Sequence, residues 1–144
     1  ADFTPEDMHR QSGEAYRRLA EHLQAPVIPA GDAMWLAFQS QAKKPVLPDP
    51  DFNYEKPTHP QLPKDDGTLI TGHSWRKNAK TGVLELKFDG IHANNRGCYL
   101  IGCVWYAFLF QQDLADLQYA PAGITPEDAR FLRGVAQKTI QDNR

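Results

Sequence analysis

Asp89 stands three residues before His92 in the segment Asp89-Gly90-Ile91-His92. At that spacing a carboxylate can turn back and accept the Nδ1 proton of the imidazole, leaving Nε2 free as a general base. This is the orienting part of a hydrolytic triad. The pattern alone is common, and its bland counterpart is a solvated histidine on a surface loop. A triad also needs a nucleophile, and the only serines are Ser12, Ser40 and Ser74. Gly72-His73-Ser74-Trp75 has the start of a G-x-S-x-G elbow, and Ser74, Asp89 and His92 follow one hydrolase chain order, but Arg76 stands where the last glycine belongs. Ser74 therefore reads as a loop serine. His59 and His73 could join His92 only in a site for which no H-x-x-x-H or carboxylate-His spacing exists, so polar loop histidines and no metal are expected. Tyr54, Trp75 and Phe52 lie in or beside a proline-rich stretch. Tyr54 and Trp75 are the candidate substrate-binding residues, stacking on a sugar ring; the alternative use is to anchor that stretch to the core.

The elements that must position these residues can be read from pattern. Thr4-Pro5-Glu6-Asp7 is a helix start with a hydroxyl cap, proline in the first turn and acids at the positive end of the helix dipole. Met8, Ala15, Leu19 and Leu23 then recur on one side of a helix running to about Leu23. Ala25-Pro26-Val27-Ile28-Pro29 reads as a short strand near a sheet's end, and Asp32 as the N-cap of a second helix through Ala33-Met34-Trp35-Leu36-Ala37-Phe38. Residues 45 to 63 hold six of the eleven prolines and form a long loop or insertion. Thr68 to Thr71 and Val83 to Phe88 predict a hairpin turning at Asn78-Ala79-Lys80-Thr81-Gly82. Asp89 to Gly97 reads as a polar loop, with Asn94, Asn95 and Gly97 capping an apolar helix that runs to Phe110. Trp35, Trp105, Tyr106, Phe108 and Phe110 are expected in the core, with Met8 and Met34 as packing residues. A last helix opens at Thr125 and buries Ala129, Leu132, Ala136 and Ile140.

Helix, strand, helix is the rhythm of an α/β fold. At 144 residues the chain is a single domain or part-domain, 1–144, with 45–87 as a proline-rich loop and hairpin insertion. Forty-one per cent hydrophobic and 24% charged residues exclude wholesale disorder. Sixteen basic against eighteen acidic side chains, without a block of one sign, lack the footprint of a nucleic-acid binder. The longest apolar run, Cys98 to Phe110, is too short to cross a bilayer, which takes about 20 residues. Cys98 and Cys103 read as buried thiols, about 140° apart on a helix and so poorly placed to bond each other. A helix apolar all round needs cover on several sides, yet the sequence offers one convincing core strand and two or three amphipathic helices. The chain thus reads as the C-terminal part of a larger α/β layer.

Four separated segments carry a resemblance: Val27 to Ala33, Asp89 to Leu100, Val104 to Tyr106 and Pro121 to Ala129. In order and spacing they resemble the C-terminal half of SGNH (GDSL-type) hydrolases, in the bacterial carbohydrate-esterase-like branch. The resemblance implies an α/β chain forming the C-terminal part of a three-layer α/β/α, flavodoxin-like fold. It also implies hydrolysis of esters, often acyl groups on carbohydrates, with His92 as general base, Asp89 as its orienting acid and no metal or organic cofactor. Periplasmic or secreted location is implied by resemblance only. The family's nucleophilic serine and oxyanion-hole residues belong to an N-terminal half with no counterpart in these residues. The expected partner is therefore that half, as a separate chain, with a small-molecule or glycan ester as substrate. The alternative is a non-catalytic glycan- or protein-binding module derived from the same fold.

Overall fold

A computed structural model describes residues 4–143 and shows a mixed α/β chain. Its elements are α1 (Pro5–Leu23), α2 (Ala30–Ser40), β1 (Ile70–Lys77), β2 (Leu84–Ala93), α3 (Asn95–Phe110) and α4 (Pro126–Asp142). The strands form one two-stranded antiparallel sheet. Both Thr-Pro-Glu-Asp starts behave as expected: Thr4 Oγ1 accepts from Asp7 N at 3.1 Å and Thr125 Oγ1 from Asp128 N at 3.2 Å, each satisfying an amide that the first helical turn leaves open. The hairpin turns where predicted. Asn78 Oδ1 accepts from Lys80 N and Thr81 N, and Gly82 takes a left-handed φ of 71° that a side chain would resist.

The core is helical. α3 is buried by Tyr99, Leu100, Cys103, Val104 and Ala107 against α2 through Ala33 and Ala37, and against α4 through Ala129, Leu132, Val135, Ala136 and Ile140. The stripe predicted for α4 is the buried one. Alanines on α2 and α4 let both helices approach α3 closely, while Leu69 and Leu114 close the two ends of the cluster.

Several expectations are corrected. Residues 25–29 are not a strand: among the described residues they join no sheet, their main-chain bonds being local ones from Ala25 N to the Ala20 carbonyl and from Ala30 N and Ala33 N to the Ile28 and Pro29 carbonyls, and Ile28 merely leans on the core while Val27 stays exposed. α2 starts earlier than the pattern indicated, with Pro29 at the cap position. Asp32 is no cap; it lies in the first turn and receives His9 Nε2 at 2.7 Å. The apolar stripe of α1 is not buried, Met8, Leu19 and Leu23 being exposed. Nor are all the helical aromatics core: Trp105, Tyr106 and Phe110 are exposed, Trp35 and Phe108 half-buried. Cys98 is exposed and only Cys103 buried. The polar run from Asp89 is strand as far as Ala93, not loop. Periodicity identifies an apolar face but cannot say whether this chain supplies its cover.

Candidate functional site

The sheet register sets the site. Gly72 faces Asp89 and Ile70 faces Ala93, so Gly90, Ile91 and His92 on β2 stand opposite the single residue Thr71 on β1. This bulge pushes the extra residues out of the ladder and re-aims their side chains. Asp89 holds the bulge from inside. Its Oδ1 accepts from Ile91 N at 3.1 Å and His92 N at 3.0 Å, and its Oδ2 lies 2.9 Å from His92 Nδ1. From the other strand, Thr71 Oγ1 donates to the His92 carbonyl at 3.1 Å.

Those bonds all favour the ionised carboxylate. The His92 amide, then the His92 ring, then the Ile91 amide hold the Asp89 carboxyl down at about 2 from its ordinary 3.8. With Asp89 ionised, Nδ1 donates and Nε2 is left as the acceptor. The His92 side chain is 78% exposed, and no described residue bonds its Nε2. The spacing of Asp89 and His92 thus gives an imidazole oriented by a carboxylate and presented outward.

A depressed carboxylate stabilises the folded bulge above its unfolded value and loses that contribution as pH falls through its folded value. The Ile91 and His92 amides are therefore expected to shift together in an NMR acid titration centred near pH 2. The Asn94 amide, bound to the Leu69 carbonyl, should not follow them. A shared midpoint near 4 would mean that Asp89 is not gripped by these amides.

Ser74 is not brought into the dyad. It lies within β1 opposite Lys87, and its Oγ accepts from Arg76 Nε at 3.2 Å, with no strand-turn-helix around it. Arg76 also places Nη2 3.9 Å from Asp89 Oδ2. The two substrate-binding candidates lie elsewhere. Strand alternation puts Trp75 and His73 on the face of the hairpin opposite that of Asp89. Trp75 Nε1 donates to the Gln61 carbonyl at 2.8 Å, and the Tyr54 hydroxyl accepts from Asp49 N at 2.9 Å. Phe52, Tyr54, His73 and Phe88 continue as a run of ring contacts at 4.7 to 5.5 Å. These rings fasten the proline-rich segment to the sheet rather than to the helical core. Tyr54, His73, Trp75 and Phe88 also line an open cleft of about 410 Å³ with Pro57 and Glu85. His59 packs edge-on against Trp75, and burial lowers the pKa of His73. Among the described residues no group of His, Cys, Asp and Glu is arranged to hold a metal ion.

Sequence reading missed the residues behind the dyad. Asn94 caps α3 as expected, accepting from Gly97 N at 3.0 Å, but it also reaches back: Asn94 N donates to the Leu69 carbonyl and Asn94 Nδ2 to that of Thr68, both at 3.0 Å. Gly97 is more than a cap residue, because a Cβ there would lie 2.2 Å from the Leu69 oxygen. Arg96 pairs with Asp128 through two bonds of 2.6 and 2.7 Å across 32 positions, a separation that leaves no local signal.

Compared with protein-family models, curated proteins and solved structures, the chain has no match. Among the described residues no helix is long and apolar enough to cross a membrane.

Proposed function

We propose that this chain is the C-terminal part of an SGNH-type serine ester hydrolase with a three-layer α/β/α fold, deacylating a carbohydrate or another small ester. The observation that carries the reading is the bulge-held pair Asp89 and His92, whose Nε2 faces outward with no partner among the described residues. The fold supplies a second support. α3 exposes Cys98, Gly102, Trp105, Tyr106, Leu109 and Phe110, a face without a charged side chain. An N-terminal half bearing the remaining strands, on a separate chain or ahead of these residues, would cover that face.

In the assembled site the serine of that half attacks the ester carbonyl while His92 Nε2 takes its proton. The imidazolium returns the proton to the leaving alcohol, and water then repeats the sequence on the acyl-enzyme with His92 as base again. Asp89 keeps the tautomer and stabilises the imidazolium. The oxyanion hole comes from the same missing half. No metal or organic cofactor takes part.

The test is to treat the assembled protein with a fluorophosphonate, denature it and weigh each polypeptide. Label is expected on a serine of the N-terminal half and none on this chain. Label on Ser74 would overturn the reading. The cleft against Tyr54 and Trp75 favours one rival, a glycan- or protein-binding module. Saturable glycan binding that ignores loss of both Asp89 and His92, with no esterase activity in any assembly, would establish that rival instead.

A further inference from the structure

The β1–β2 hairpin stands on a narrow base. Its entry is anchored by Leu69, buried in the helical core, and its exit passes from Ala93 through Asn94 into α3. Apolar burial holds a segment in place but sets no direction. Direction must come from hydrogen bonds at the base, and three converge on two carbonyls: Asn94 N on Leu69 O at 3.0 Å, Asn94 Nδ2 on Thr68 O at 3.0 Å, and Arg96 Nη1 on Thr68 O at 3.2 Å. The two Asn94 bonds join neighbouring parts of the base itself. Arg96 alone among these donors reaches other helices. Its Nε and Nη2 grip both oxygens of Asp128 in the first turn of α4, and its Nη1 also meets Gln41 Oε1, at the C-terminal cap of α2, at 3.3 Å.

We infer that Arg96 is the positioning residue that fixes the direction in which the hairpin, and with it the imidazole of His92, projects from the helical body. A guanidinium suits this joint because its planar fork binds a carboxylate at two points while a further N–H serves a carbonyl at a set angle. Arg96 and Asp128 are about three-quarters buried, so solvent competes little with these bonds. The joint lies four residues beyond His92 and touches none of the reacting groups. The consequence for catalysis rests on the hydrolase reading, in which the serine is carried by the half docked on the helices; the orientation itself does not rest on it.

The test uses residual dipolar couplings of the full 144-residue chain. In the wild type, hairpin and helical amides should fit one alignment tensor. Arg96→Lys keeps the charge but loses the fork, and should require a separate tensor for residues 70–93 while the helical signals stay folded. Asp128→Asn attacks the same joint from α4 and stands in if Arg96→Lys does not fold. In the assembled hydrolase, with a small activated ester as substrate, Arg96→Lys should lower kcat about 10- to 100-fold with KM nearly unchanged. A folded variant that keeps the wild-type tensor, or an equal loss of thermal stability with unchanged kcat and couplings, overturns the inference. If the wild-type assembly shows no esterase activity, the hydrolase reading fails, and the couplings alone still decide the role of Arg96.

Discussion

Replacing His92 by alanine is expected to remove ester turnover from the hydrolase assembly proposed above, by about 10⁴-fold or more in kcat, while this chain folds as before. The loss is large because in the proposed mechanism one side chain performs both proton transfers, and no other described imidazole is oriented by a carboxylate within the bulge. The effect on folding is small because the ring is largely exposed and the bulge is held by main-chain bonds to Asp89 that alanine retains. Surface substitutions of this kind stay within about 0.5 kcal/mol. Asp89→Asn should lower kcat by a comparable factor of about 10⁴, since an amide can present its N–H to Nδ1 and favour the wrong tautomer. Unchanged turnover in His92→Ala, measured on protein whose circular dichroism matches wild type, would sink the assignment.

The second large effect concerns stability and contrasts two leucines of one helix. Leu100 is fully buried between α2, α3 and α4, and Leu100→Ala is expected to cost about 2–5 kcal/mol through lost burial and the cavity left behind. That is a large share of the roughly 5–15 kcal/mol that stabilises a typical domain. Leu109, 56% exposed on the uncovered face, should cost less than about 0.5 kcal/mol in this chain alone. Urea denaturation of the isolated chain reads both values. In the proposed assembly with an N-terminal half, Trp105→Ala and Leu109→Ala should weaken association, Trp105 by about 2 kcal/mol or more as a central anchor. Equal association of wild type and both variants would mean that another surface carries the partner.

Much of the local structure was legible in the residues. The two Thr-Pro-Glu-Asp starts, the Asn78 to Gly82 turn and the Asn94 cap each depend on bonds made within a few residues, and each forms as read. The Asp-x-x-His spacing has the same character: a carboxylate three residues from a histidine can reach both its amide and its ring. The misreadings share another cause. Residues 25–29 have the composition of a strand, but a strand exists only through a neighbour to which its amides bond. Trp105 and Phe110 have the character of core residues, yet burial belongs to the packing partner as much as to the side chain. Ser74 reads as a loop serine, yet it lies within β1 opposite Lys87.

By itself the sequence determined the helix starts, the hairpin turn and the contact between Asp89 and His92, because these follow from short-range geometry and side-chain type. Only the tertiary structure decided that a three-against-one bulge presents His92 outward, that Tyr54 and Trp75 are tied to the proline-rich segment on the other face, and that Arg96 joins the hairpin to α2 and α4. The physical reason is distance along the chain. Arg96 meets Asp128 after 32 residues and Gln41 after 55, and contacts of that span exist only once the helices have packed.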